Sequence, residues 1–596
     1  MTMLTRIALL LVMQLFATML PGAAAAAGPT GFLVLAPDRG FLGNEEARDA
    51  FEAFRAQVPE AVLAFATVEK TEENLRRALA ELAAQGPAAD EIVVLPLFLS
   101  DDEVLYRRAA AVLRAMDAPA IRFAPPLGQS FLAEEILFDR VKALLPDGFT
   151  PAHGGHSGHG DHGSHGASAS HGGDHASHGD HASHGMQHDM QHGVPRLVVV
   201  AGGAGTADDE AAIRADLAPL ARRAAEKFGL AGAEVVVLYD WSAPAADRAA
   251  AMERIVAAAG DAAVHGPALV VPFNFAARLT TMMADWTRLR GSLSAVAGAV
   301  HDGAGVLPHP NVERWLVRSA NTYRPLAKEE IGLILVPHGS DHNWNEAMRA
   351  AMAPIREKYV TEEAFSMVDP FVVERAVRRL EAKGVKAAVL LRIFSLESSF
   401  RDQAEYVLGL REEYRGPHAE RIASHLRFAT RGGLEAHPLL AEAMLARARE
   451  ISEDPSKETV VLVAHGTGGD AADAHWMRNL ETIADHIRTR SREEGRAFRD
   501  VRFHTWREDW PDKREASVRA IRGMVEEAGR DGGTALVIPV RTIDRGPEAD
   551  FLEGLTYRHG TGFAPHPGFV QWLEEMIAQG MADLAVPAPG AETAQR

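Results

Sequence analysis

The sequence predicts an α/β protein of four small lobes. Each lobe is a mainly parallel four-stranded sheet flanked by helices, and the lobes pair into two two-lobe bodies. A continuous apolar run punctuated by Gly or Pro recurs four times, as GFLVLAP (31–37), RLVVVAGG (196–203), GLILVPHG (332–339) and VVLVAHG (460–466). A second run follows each, as EIVVLPLFL (91–99), ALVVPFNF (268–275), AAVLLRIF (387–394) and TALVIPV (534–540). Val/Leu/Ile runs that alternate with helix-patterned segments imply parallel strands covered on both faces. The unit ends repeat as well. GVLPHPNVERWL (305–316) matches GFAPHPGFVQWL (562–573), and FLAEEIL (131–137) matches LLAEAML (439–445). Units 1 and 2 are therefore duplicated as units 3 and 4, with an insert between the first two.

Residues 1–27 read as a cleaved export signal. Arg6 precedes the apolar run IALLLVMQLFATML, which is too short for a comfortable membrane span, and AAAAA at 23–27 offers small residues for cleavage. The expected location is the periplasm or another exported compartment, with no membrane span in the mature chain. Lobe 1 follows at 28–150, a His-rich linker at 151–194, lobe 2 at 195–325, lobe 3 at 326–454 and lobe 4 at 455–586. The last ten residues, 587–596, read as a disordered tail. A net charge of −19 argues against nucleic acid or an anionic membrane as partner, since both need a basic footprint. The chain has no cysteine, which leaves His, Asp, Glu and Met for any metal.

The insert is the most polarised stretch. It carries His153, His156, His159, His162, His165, His171, His175, His178, His181, His184, His188 and His192 among Gly, Ser and Asp. With no apolar face it cannot offset its ordering entropy and is expected to be disordered. Imidazoles with an unperturbed pKa near ~6.5 are mostly neutral at neutral pH and able to coordinate metal. Their spacing suits several exchangeable sites for Ni²⁺, Co²⁺, Cu²⁺ or Zn²⁺. A coil of this length reaches roughly 35 Å.

His338 and His465 end the first strands of lobes 3 and 4, where ligands collect in open parallel sheets. The glycines after them allow a sharp turn. An imidazole there can bind a divalent metal or move a proton. Carboxylates and a histidine expected near the same edges are Glu397, His342, Asp544 and Glu548. GGAGT (202–206) could cradle an anion. The tryptophans of TWREDW (505–510) could stack on a flat ring or pack a core. RHGTG (558–562) contains the triplet of histidine phosphatases but precedes the last helix of its unit, where that chemistry does not belong.

LILVPHGSDHNWNEAM (333–348), VVLVAHGTGG (460–469), EIVVLPLFLS (91–100) and GLEAHPLLAEAML (433–445) resemble the class II chelatases, the cobalt and iron chelatases of sirohydrochlorin. The resemblance covers nearly all of 31–585 apart from the insert, as a tandem duplication of the two-lobe form. It implies a sirohydrochlorin cobaltochelatase-like lyase that inserts Co²⁺, Ni²⁺ or Fe²⁺ into a tetrapyrrole without an organic cofactor. The metal-holding, proton-accepting role falls on His338 and His465, with His342, Glu397 and Glu548 as metal-site helpers. Pro37 and Gly202 stand at the matching places of lobes 1 and 2, so the first body lacks that ligand. The family's second histidine, after the PLFLS strand, is missing from every lobe. The resemblance therefore leaves two readings open: a chelatase fed by a metal-capture linker, or a non-catalytic metal-binding or tetrapyrrole-carrier protein built from degenerate lobes.

Overall fold

The structure is a computed structural model that describes residues 30–85, 89–116, 120–146, 149, 193–275, 279, 284–416, 420–585 and 592–593. Residues 1–27, expected to be an export signal, and the twelve histidines of the insert lie outside them. Four separate sheets form. Lobe 1 holds β1 (Thr30–Pro37), β2 (Ala61–Ala66), β3 (Glu91–Pro96) and β4 (Ala120–Phe123). Lobe 2 holds β5 (Arg196–Ala204), β6 (Ala233–Tyr239), β7 (Ala268–Val271) and β8 (Ala299–Val300). Lobe 3 holds β9 (Ile331–Pro337), β10 (Thr361–Glu363), β11 (Ala387–Ile393) and β12 (Arg427–Gly432). Lobe 4 holds β13 (Glu458–Ala464), β14 (Asp500–Thr505), β15 (Thr534–Pro539) and β16 (Tyr557–His559).

Within each lobe these four strands pair in parallel, in the order second, first, third, fourth. The chain thus reverses direction between the first and third strands, and the crevice beyond their carboxyl ends is the switch point where such sheets bind ligands. Pro37, Gly202, His338 and His465 all stand there or at its edge. One difference from the sequence reading concerns the tail. Glu592–Thr593 pair antiparallel with β4, whose outer edge otherwise offers unpaired backbone groups.

The described residues divide into two compact units, lobes 1 and 2 with residues 592–593, and lobes 3 and 4. Each unit is held together by an exchange of terminal helices. In the second unit, helix Pro567–Ala585 of lobe 4 packs on β11 and β12 of lobe 3, while helix Pro438–Glu450 of lobe 3 packs on β15 of lobe 4. The first unit does the same with helix Phe131–Leu144 against β7 and helix Pro310–Tyr323 against β3. The exchange makes one continuous core of lobes 3 and 4, with Met444, Ile483, Phe569 and Trp572 fully or almost fully buried in it. Each such side chain contributes about 1.5–3 kcal/mol by leaving water. Gly580 permits the contact, because a Cβ there would sit 2.3 Å from Cγ1 of Val389. Arg431 adds a bidentate pair across the same boundary, with both Asp583 carboxylate oxygens at 2.6 Å.

Candidate metal centre

His338 and His465 share one local device. The glycine after each has a positive φ, +81° at Gly339 and +80° at Gly466, a conformation that favours glycine. Each turn brings the glycine carbonyl back onto the imidazole. Nδ1 of His338 lies 2.7 Å from Gly339 O, and Nδ1 of His465 lies 2.9 Å from Gly466 O. A carbonyl only accepts, so Nδ1 carries the proton in both rings. Nε2 is left to face the crevice.

There the two sites diverge. In lobe 4 the loop after β14 folds over the turn, as Trp506 N donates to Ala464 O and Glu508 N donates to His465 O. This puts Asp509 Oδ2 at 3.2 Å and Glu508 Oε2 at 3.6 Å from His465 Nε2. Glu508 Oε2 is buried without a hydrogen bond, an electron-rich oxygen whose charge is not met by an N–H or O–H donor. Trp476 stacks on the imidazole at 6.1 Å and Trp510 meets it edge-on at 6.0 Å. Burial alone would lower the His465 pKa. Hydrogen bonds to Asp509 and the Gly466 carbonyl, with the charges of Glu508 and Asp509, outweigh it and raise the pKa above the ordinary value. One imidazole with two carboxylates is a donor set suited to Co²⁺, Ni²⁺ or Fe²⁺.

Asp473 steadies the turn by accepting from Thr467 N at 3.2 Å and Thr505 Oγ1 at 3.0 Å, while Arg507 lies alongside it. Beyond Trp476 a narrow pocket between lobes 3 and 4 is lined by Glu435, Asn479, Leu434 and Arg541. Arg541 Nη2 reaches to 3.6 Å from Glu508 Oε2. Glu435 ties the two lobes beside it, accepting from Glu397 N at 2.6 Å and from Asn479 Nδ2, with His475 Nε2 at 2.8 Å.

His338 is exposed and has the edge of Phe394 for a neighbour, with no carboxylate within 4.0 Å among the described residues. The helpers expected from sequence are elsewhere. Glu397 pairs with Arg401 at 3.0 Å and lies 3.9 Å from Arg392. Glu548 is buried with its Oε2 3.2 Å from His559 Nε2. His342 is the exposed first residue of helix His342–Lys358, and Asp544 turns its carboxylate onto the Arg545 amide. Sequence reasoning missed Glu508 and Asp509. Their signal was the acidic pair between two tryptophans, directly after a second strand.

The first unit preserves the layout with different residues. Ala201 pairs with Val237 as Ala464 pairs with Thr505, so Gly202 occupies the register of His465 and Asp240 that of Glu508. The cation at Asp240 is a guanidinium from lobe 1. Arg39 Nη1 lies 3.0 Å from Asp240 Oδ2, and Nη2 lies 2.9 Å from Glu103 Oε2. Burial pushes the Glu103 carboxyl up to about 7 despite Arg39. The GGAGT turn does not present its amides to a ligand. Gly205 N and Thr206 N both donate to Asp209 Oδ2, at 2.9 and 3.0 Å.

Other singled-out residues have structural partners. His309, His437 and His566 each accept a backbone N–H two residues on, capping a helix through Nδ1. Trp506 is buried against Phe551, with ring centroids 5.0 Å apart. Outside the switch points, the side chains of Asp101, Asp102 and Asp216 come close enough together to share an ion.

Four sheets of one topology, with a histidine and two carboxylates together at one switch point, define a four-lobed α/β protein with a candidate metal centre. Residues 41–144 of lobe 1 match the CbiX family, a family of chelatases, in a segment that begins just after the first turn. A comparison with curated proteins finds no match. Among solved structures, SirB from Bacillus subtilis with Fe³⁺ is similar at 15% identity, over 42% of this chain and 96% of its own, with a TM-score of 0.32. DR2241 from Deinococcus radiodurans, described as a multi-domain protein with structural similarity to chelatases and two additional novel domains, is similar at 20% identity. That match covers 42% of this chain and 55% of the other, with a TM-score of 0.28. Among the described residues no helix is long and apolar enough to cross a membrane.

Proposed function

We propose that this protein is an exported metallochelatase whose second unit inserts Co²⁺, Ni²⁺ or Fe²⁺ into a sirohydrochlorin-type tetrapyrrole. The observation that carries the reading is His465 Nε2 facing Asp509 and Glu508 at the switch point of lobe 4. In the reaction two pyrrole N–H bonds break, two protons leave and the ring nitrogens take the metal. His465 and the two carboxylates hold the ion and accept those protons in turn, because releasing the metal frees the same lone pairs for protons. The His-rich insert gathers metal for the centre, and its tether raises the local concentration toward ~mM when free ion is scarce.

A second reading is favoured by one specific contrast. Among the described residues three of the four switch points lack a histidine–carboxylate set, since His338 has no carboxylate within 4.0 Å and Pro37 and Gly202 replace the imidazole. On that reading the chain is a metal or tetrapyrrole carrier. Anaerobic mixing of the protein with sirohydrochlorin and Co²⁺, followed by absorbance, separates the two. Insertion faster than the spontaneous rate, lost in His465→Ala, supports catalysis. Stoichiometric ring binding with no acceleration supports the carrier.

A further inference from the structure

We infer that the outer edge of lobe 3 is a docking groove for an extended acidic peptide of a partner protein, one with an apolar residue followed by acidic residues two and four positions later.

The groove follows from the order of the sheet. β10 is an edge strand, and among the described residues no strand covers its outer side. Met352 and Ile355 of helix His342–Lys358 share a core with Leu333 and Leu335 of β9. Val373 and Val377 of helix Pro370–Ala382 share another with Ile334 and Val336, so the two helices cover opposite faces of the sheet. Between them, along β10, they leave a trough of about 470 Å³ floored by Thr361, Glu362, Glu363 and Phe365. That volume is in the range of ligand sites.

Arginines line both walls. Arg349 and Arg356 come from the first helix, and Arg375 and Arg379 from the second. Glu363 pairs with Arg349 at 2.9 Å and Arg356 at 3.1 Å, while Glu362 pairs with Lys383 at 2.6 Å and Arg379 at 3.5 Å. Each floor carboxylate is therefore shared by two cations, and Arg375 has no ion pair among the described residues. Glu346, a partner of Arg349, still leaves five cations against three carboxylates. On a chain of net charge −19 this local surplus selects an acidic partner. Guanidinium forks also match carboxylates two bonds at a time.

The spacing specifies an extended chain. Phe371, Arg375 and Arg379 recur every fourth residue of one helix, about 6 Å per step along its axis. Alternate side chains on one face of an extended strand stand about 6.8 Å apart, nearly the same step. Phe371 is 73% exposed, and Met367 just before the helix is 46% exposed, so the stripe begins at an apolar anchor. A peptide laid along the helix thus sets an apolar side chain at Phe371 and carboxylates at Arg375 and Arg379. Lys383 Nζ lies 3.4 Å from the Thr361 carbonyl, which makes the contact one of side chains rather than an added strand. A nucleic acid or polyphosphate would set closely spaced phosphates over Glu362 and Glu363 as well as the arginines. None of the residues outside the described ones carries two acidic residues two positions apart, so the occupant is a separate molecule.

Fluorescence polarisation of a labelled peptide carrying Phe-Ser-Glu-Ser-Glu between Gly-Ser flanks, titrated with the full chain, tests the groove. Saturable binding is expected. It should weaken about tenfold or more with Phe→Ala or either Glu→Lys in the peptide, and with Arg375→Glu or Arg379→Glu in the protein. Arg375→Glu should regain affinity for the peptide with Lys at its first acidic position, which reports a direct contact. The peptide variants leave the protein unchanged and carry the test if a protein variant is destabilised. His465→Ala should bind the peptide unaltered, and Arg375→Glu should load Co²⁺ at the His465 centre unaltered, so the groove and the metal centre are tested separately. The inference is overturned if the peptide does not saturate at millimolar concentration or if a scrambled Glu-Glu-Phe-Ser-Ser peptide binds as well. Tighter binding of tripolyphosphate than of the peptide would overturn it too.

Discussion

Arg39 reaches from the end of β1 to set its Nη1 3.0 Å from Oδ2 of Asp240, at the end of β6 in the neighbouring lobe. A guanidinium thereby takes the position beside the register-equivalent carboxylate that a metal ion would take in lobe 4. An arginine charge is permanent and cannot dissociate. The two units thus answer one electrostatic question differently, the first with a fixed cation and the second with the titratable imidazole of His465 beside Glu508 and Asp509.

Glu103 gives this arrangement a pH signature. Its folded pKa is raised to about 7 from an ordinary 4.5, chiefly by burial. Between those values the folded state binds the proton and the unfolded state does not. The contribution is complete below about 4.5 and is lost as pH climbs to about 7, on the order of 3 kcal/mol. Urea denaturation across that window should show the first unit losing stability with rising pH. Glu103→Gln should flatten that slope, and an unchanged slope would contradict the assignment.

His465 has a raised pKa as well, and the sign again follows from proton binding. Its ion pair with Asp509 stabilises the metal-free protein fully below the ordinary histidine value of 6.5 and fades as pH rises through the raised value. Metal must displace the same proton, so Co²⁺ affinity should rise over the same interval. Asp509→Ala and Glu508→Ala should each weaken Co²⁺ binding by about 10–100-fold, and His338→Ala should change it little. The titration should be made on protein lacking residues 153–192, so that the insert does not mask the centre.

Most of the fold was legible because its signal is local. Runs such as EIVVLPLFL and TALVIPV read as buried parallel strands from their own residues, and the repeats revealed the pairing of lobes. The two first-turn histidines were legible for the same reason. The centre around His465 was not, because its carboxylates come from a loop that begins its acidic pair 43 residues further on, counting from 465 to 508. Which residue of that loop reaches back is decided by the register of β14 against β13. Glu397 and Glu548 lie on plausible edges, but nearby Arg401 and His559 claim their carboxylates. Arg39 was invisible for the converse reason: its partner Asp240 is 201 residues away and across a lobe boundary.

Gly580 tests the helix exchange. Because its missing Cβ would stand 2.3 Å from Val389, Gly580→Val should drive the lobe 4 helix off the lobe 3 sheet. Overpacking of this kind costs about 1–3 kcal/mol. The second unit's denaturation midpoint should fall while the first unit's stays put, and equal shifts in both would refute the separate-core picture.

The His-rich insert is proposed to matter only when metal is scarce. Deleting residues 153–192 should raise the Co²⁺ concentration needed for half-maximal loading of the His465 centre in the presence of a competing chelator. With Co²⁺ in excess, loading and rate should match the full chain. An identical metal dependence with and without the insert would remove its capture role.

The strongest test of the first unit's logic is to rebuild the missing ligand set. Gly202→His alone should fail, because its Cβ would collide with the Asn274 amide and Arg39 already covers Asp240. Adding Asn274→Ala and Arg39→Ala removes both obstacles and leaves Asp240 and Glu103 with no cation. The buried Asp240 carboxylate, left without a cation, should cost about 3–5 kcal/mol of stability in the triple variant without metal, while Glu103 takes up a proton. Co²⁺ should restore much of it, since a ligand that binds only the folded state stabilises it by mass action. Thermal unfolding of this variant, with the insert deleted and His465 replaced by Ala, should therefore shift upward with added Co²⁺. The same background retaining Arg39 should not shift. Equal responses would mean that Arg39 does not occupy the cation position.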